Sequence, residues 1–164
     1  MVKTLQVETL FVLCLLFSAS CAPSAPTQTP TFTDPDKEMA AAVKQGQSTL
    51  YILRRALLAP RPSYAFLSVK VHFTSPNGST EDMWTEPVYI LDGNYTVRMI
   101  EGVTLEQGAH PDRLVEVHPE EILDWMIKEK DGTVLGGYTL RLEFKRMTPQ
   151  QQKRYLEVTG YKFE

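Results

Sequence analysis

The chain has 164 residues, with 17 basic and 20 acidic side chains and a net charge of −3. A slight acidic excess gives no electrostatic reason to expect nucleic acid or an anionic membrane as the partner. With 43% hydrophobic and 23% charged residues the composition is that of an ordinary globular protein, and no internal repeat is visible.

The first residues read as an export signal over 1–20. Lys3 gives a short positive start, Leu10 to Phe17 is unbroken apolar, and Ser18, Ala19 and Ser20 are small. The apolar run is well short of the roughly 20 residues that span a bilayer. Cys21 follows the small residues, the layout in which cleavage exposes a cysteine for lipid attachment. Cys14 would leave with the signal, so the mature chain has one cysteine at its new N-terminus and no internal disulfide. The competing expectation is a plain secretory signal cut after Ala22, giving a soluble secreted or periplasmic protein. Several acyl chains, at about 0.8 kcal/mol per buried CH₂, would hold Cys21 firmly to a lipid bilayer. The lack of Asp after Cys21 resembles lipoproteins of the outer membrane rather than the inner. Residues 21–33 then form a flexible tether, uncharged from Ala22 to Thr33 and rich in Pro, Thr and Ser.

A single domain is expected over 34–164. Asp34 caps a first helix with Pro35 in its first turn, and Met39, Val43, Gly46, Leu50, Leu53 and Leu57 recur at helical spacing. Gly46 weakens the middle or permits close approach, and Ala59 to Pro62 ends the helix. The period then drops to two, with Leu67, Val69, Val71 and Phe73 on one face of a strand. Asn77-Gly78 marks a hairpin. Trp84 and Val88 to Leu91 lie in returning strands, with Pro87 at a bulge or break. Asp92-Gly93-Asn94 turns the chain into a strand over Tyr95 to Ile100. Gly102 to Asp112 is a loop, Val115 and Val117 belong to a strand, and Pro119 to Ile122 makes one helical turn. Trp125 to Ile127 and Val134 to Phe144 are expected as strands joined at Asp131-Gly132. Thr148-Pro149-Gln150-Gln151 is a capping box that opens a last helix, stopped by Gly160. The sum is an α+β domain: an N-terminal helix, an antiparallel curved sheet or partial barrel of about five to six strands, and a short C-terminal helix.

The segment Asp124-Trp125-Met126, then Gly132, then Gly136-Gly137-Tyr138-Thr139-Leu140-Arg141 resembles the core signature of the YegJ-like family, a bacterial domain of unknown function. Met39 to Ala42, Ser68 to Val71 and Met147-Thr148-Pro149 extend the resemblance over nearly the whole domain, while Pro87 to Gly102 departs from it. The resemblance implies a small soluble domain, often exported, and no established reaction.

The candidate surface for a ligand or partner is Trp84, Asp124, Trp125, Tyr138 and Arg141. A Trp beside a carboxylate can bind an aromatic, sugar or cationic ligand, or else fill the core while the carboxylate takes backbone hydrogen bonds. Gly136 and Gly137 allow a ligand to approach, or mark a bulge in a curved sheet. They are no phosphate loop, since the Lys-Ser/Thr continuation is missing. His72, His110 and His118 lack metal spacing, and no Gly-x-Ser-x-Gly elbow is present, so no metal, cofactor or catalytic residue is assigned. Glu116, Glu120, Glu121 and Asp124 read as a solvated acidic face, and Arg54, Arg55 and Arg61 as a solvated helix end. The expectation is a non-enzymatic binding domain of the bacterial envelope, held through Cys21 and acting on an unknown envelope protein or ligand. The alternatives are an envelope hydrolase using Asp124 with its neighbouring carboxylates, and a toxin-immunity protein.

Overall fold

The computed structural model describes residues 35–74, 78–100 and 113–163. The export signal, Cys21, the tether, the Asp34 cap, the Ser75 to Asn77 part of the first turn and the Gly102 to Asp112 loop lie outside the described residues.

Two helices come first, α1 over Pro35–Ser48 and α2 over Leu50–Leu58. Sequence periodicity predicts a single helix here, and tertiary contact divides it. The Trp125 indole Nε1–H donates to the Gly46 carbonyl at 3.1 Å. In an unbroken helix that carbonyl would receive the Leu50 amide. The Thr49 hydroxyl donates back to the Gln45 carbonyl at 2.8 Å, a bond that competes with regular helix.

Six strands follow: β1 Tyr64–Thr74, β2 Thr80–Leu91, β3 Asn94–Arg98, β4 Leu114–Val117, β5 Ile122–Glu129 and β6 Val134–Gly136. They form one antiparallel sheet in the order β4-β3-β2-β1-β5-β6. The sheet is open, with β4 and β6 at its edges, so the partial-barrel form is not adopted. β1 meets β2 from Val69↔Thr85 to Thr74↔Thr80, the hairpin expected at Asn77-Gly78. The β2–β3 ladder slips between Pro87 and Tyr89, where Pro87 removes a donor. A single 3₁₀ turn over Pro119–Glu121 leads into β5.

The expected strand from Val134 to Phe144 is corrected. β6 ends at Gly136, and Tyr138–Arg146 is a helix, α3. Gly136 and Gly137 both have positive φ, 71° and 66°, which turns the chain off the sheet instead of bulging a longer strand. The last helix, α4 over Pro149–Thr159, starts at the Thr148 capping box and ends at left-handed Gly160, as the sequence indicates.

Alternation along the strands gives the sheet two faces. On one, Val69, Val71, Trp125 and Ile127 pack with Leu50, Leu53 and Ala56 of α2, and with Tyr95, Val97 and Val117 farther along the sheet. On the other, Met126, Val134 and Leu140 of α3 pack with Trp84, Tyr155 of α4, Tyr161 and Phe163. Among the described residues no helix is long and apolar enough to cross a membrane.

Candidate functional site

The residues of the sequence signature meet in the interior. Asp124 is fully buried and its carboxylate accepts three hydrogen bonds. Oδ1 takes the Trp125 N–H at 2.8 Å, and Oδ2 takes the Thr139 N–H at 2.7 Å and the Thr139 hydroxyl at 2.8 Å. Thr139 lies in the first turn of α3, whose N-cap is Gly137, a residue with no side chain to do the capping. A carboxylate from β5 therefore satisfies an orphan amide and the positive end of that helix. Burial raises the Asp124 carboxyl above its ordinary range, and the bonds from Thr139 and Trp125 offset part of that rise.

Gly136 completes this joint. A Cβ there would stand 2.3 Å from the Trp125 carbonyl oxygen, so only glycine lets β6 pass so close to β5. Gly137 then donates its N–H to the same carbonyl at 2.7 Å. Tyr138 is half-buried and sets its ring edge-on to Trp125, centroids 6.2 Å apart. Arg141 reaches back from α3, its Nε donating to the Gly136 carbonyl at 2.8 Å and a terminal nitrogen to the Val134 carbonyl. Its guanidinium also lies 5.2 Å over the Phe163 ring. Asp124, Trp125, Tyr138 and Arg141 are thus brought together as a joint between β5 and α3, and Trp125 is only 1% exposed.

Trp84 stands elsewhere. It is half-buried on β2, opposite Lys70 of β1, on the sheet face that α3 and α4 cover only in part. There it lines a cleft of 530 Å³ with Phe66, Ile100, Leu140, Tyr155 and Tyr161. Met126 and Ser68 are its buried lining, the Ser68 hydroxyl donating to the Thr85 carbonyl, and Glu86 supplies an exposed polar edge. Glu86 pairs with Arg98 at 3.3 Å. The Lys128 ammonium lies 5.1 Å over the Tyr161 ring and 5.8 Å over Phe66, and donates to the Thr159 carbonyl at 2.7 Å. It ties α4 to the sheet beside the cleft. Tyr155 and Tyr161 meet edge-on at 5.9 Å. Burial, with Tyr161 and Glu143 nearby, pushes the Tyr155 phenol up to about 12, and burial raises Tyr161 as well. Both rings therefore present neutral, mainly apolar walls at physiological pH.

Sequence reading names Trp84 but misses Phe66, Ile100, Tyr155 and Tyr161. The alternation of β1 places Phe66 on the face opposite Leu67, and Tyr161-x-Phe163 after Gly160 repeats aromatics at strand spacing. Those are the signals that were available.

His72 is exposed and its Nδ1 lies 2.7 Å from Asp82 Oδ1. His118 Nδ1 lies 3.0 Å from the Asn94 side-chain oxygen. Among the described residues no three His, Cys, Asp or Glu side chains gather as a metal site, and no buried side-chain nitrogen or oxygen lacks a partner. His110 lies outside the described residues.

A family model described as an uncharacterised protein conserved in bacteria (DUF2314) matches residues 36–163. The chain belongs to this family. The match spans the DUF2314 domain from the first turn of α1 to the segment after α4, and so includes both the Asp124 joint and the cleft. No curated protein and no solved structure matches the chain.

Proposed function

We propose that this DUF2314 protein is an exported, lipid-anchored binding domain of the bacterial envelope that takes an apolar segment of a partner protein in the Trp84 cleft. The observation that carries the binding reading is the cleft itself. It is an open, aromatic-walled concavity of 530 Å³ on a sheet face, with few polar groups in its lining. Such a surface gains affinity by burying apolar side chains, and Trp and Tyr are the usual anchors of such contacts. Lys3, the Leu10 to Phe17 run, the small residues before Cys21 and the uncharged tether support export and lipid attachment. The resemblance of the Asp124 to Arg141 signature to YegJ-like proteins belongs to the same reading. A hydrolase acting through Asp124 has less support, because that carboxylate is fully buried and all three of its hydrogen bonds serve the joint with α3.

Two measurements test the proposal. Intact-mass analysis of the mature protein from membranes should show a diacylglyceryl-sized addition that a Cys21→Ser variant lacks. An unmodified chain starting near Ala22 would remove the anchor. A photo-crosslinker in place of Ile100, on the exposed lip of the cleft, should capture a partner in membranes, and Trp84→Ala should abolish the adduct. Repeated recovery of the domain alone would count against a protein ligand.

A further inference from the structure

One stretch of the chain runs against its overall acidity. No Asp or Glu occurs between Glu38 and Glu81, while Lys44, Arg54, Arg55, Arg61 and Lys70 all fall there. Three of these cations gather on α2 and the turn that follows it. α2 buries Leu50, Leu53 and Ala56 against the sheet, so the helical period turns Tyr51, Arg54, Arg55 and Leu58 outward. Tyr51 is 59% exposed and Leu58 68%. The Arg55 guanidinium lies 5.6 Å from the centre of the Tyr51 ring. The outward stripe is therefore aromatic, cationic and aliphatic, with none of the acidic or neutral polar residues usual on a solvated helix face. Beside it a cavity of 360 Å³ is lined by Arg55, Arg61, Ile52, Leu58 and Tyr64, among others. Among the described residues no ion pair joins Arg54, Arg55 or Arg61 to a carboxylate. Glu129, opposite Tyr64 in the β1–β5 ladder, is the acidic residue that the register brings toward this end of the sheet.

We propose that this face of α2, with Arg61, docks on an anionic phospholipid surface. Guanidinium groups recognise phosphate oxygens bidentately. A basic helix face with Tyr and Leu between its cations is the composition that settles at a headgroup boundary. Three arginines at such a surface raise affinity on the order of 100-fold at moderate salt. The net charge of the whole chain hides this segregation, so the expectation drawn from composition is revised for this one face. α2 covers the sheet face opposite the Trp84 cleft, so a domain seated on α2 holds the cleft away from the bilayer.

The test needs neither Cys21 nor the cleft. Thr33–Glu164 forms one compact unit that contains both cores, and can be made without the residues before it. It should sediment with vesicles of phosphatidylcholine mixed with phosphatidylglycerol, not with phosphatidylcholine alone, and release as salt is raised. Replacing Arg54, Arg55 and Arg61 together by Gln should weaken this binding on the order of 100-fold. Leu58→Ser should weaken it severalfold, with an unchanged urea midpoint for all these variants because the side chains are exposed. Equal binding to both vesicle types, no binding to either, or an undiminished triple variant would overturn the proposal.

Discussion

Asp124→Asn is the most informative single substitution, because an amide of nearly the same shape cannot accept what the carboxylate accepts. If the oxygen of the new amide faces Thr139, its NH₂ meets the Trp125 N–H, donor against donor. If the oxygen faces Trp125, the Thr139 hydroxyl can turn to accept but the Thr139 N–H cannot. Either way one buried backbone amide loses its partner, which costs about 1–3 kcal/mol. The surviving bonds also change from charge-assisted to neutral, at roughly 1 kcal/mol more. Relief of the buried charge acts in the opposite direction, and that burial is why the carboxyl sits above its ordinary value of 3.8. Burial outweighs that charge assistance, as the raised value shows, so the orphaned backbone amide decides the sign and a net loss of about 1–2 kcal/mol is expected. With an m-value of about 2 kcal/mol/M, the urea midpoint falls by on the order of 1 M with m unchanged. The pH dependence adds a second reading. An acid with a raised folded-state pKa contributes most stability below its unfolded value and loses it as pH rises through the folded value. The gap between parent and variant should therefore narrow as pH rises above about 4 and through the raised folded-state value. An Asn variant as stable as the parent at every pH would refute the capping role.

Gly136→Ala should cost about 3 kcal/mol or more, since its Cβ meets the Trp125 carbonyl, whereas Gly137→Ala has no contact under 3.5 Å and should cost only about 1–2 kcal/mol for its left-handed backbone. Comparable thermal shifts for the two would contradict the close-approach account. Gly46→Ala should destabilise by about 1–2 kcal/mol despite the better helix former, because its Cβ would stand 2.8 Å from the Leu123 carbonyl; a stabilised variant in urea would show that α1 can shift away. Thr148→Ala removes the α4 N-cap and should lower stability by about 1 kcal/mol in the same assay, so a neutral result would mean the box is not needed.

Sequence and structure agree wherever an element is specified by its own residues. The capping box at Thr148, the turn at Gly160, the alternation of β1 and the break in pairing at Pro87 are local, and each is legible. They part at the two places where a distant residue decides. Leu140, Leu142 and Phe144 alternate with polar residues as a strand would, and Gly137 offers no cap. The cap arrives from Asp124, fifteen positions earlier in the chain than Thr139. Likewise, the run from α1 into α2 is continuous in pattern, and what divides it is the indole of Trp125, 79 positions away from Gly46. The site follows the same rule. Trp84 could be singled out by type alone, but its partners Phe66, Ile100 and Tyr155 come from separate elements that no local pattern links. Asp124 and Trp125 attract attention as a pair of functional type, and their burial depends on helices that the alternation of α3 conceals.

The contact between Gly46 and Trp125 also sets an order of events. Among the described residues α1 is synthesised before the rest, yet its seat is built from β5 and from α3, where Arg146 reaches Glu38 at 2.9 Å. Closing such long loops comes late in folding, because their entropy must be overcome before the contacts form. A growing chain thus carries α1 without a dock until most of the domain has been synthesised. The first of these helices acts as the keystone rather than the seed: β1 to β4 and α2 can meet without the C-terminal third, and α1 locks in only once β5 and α3 have emerged.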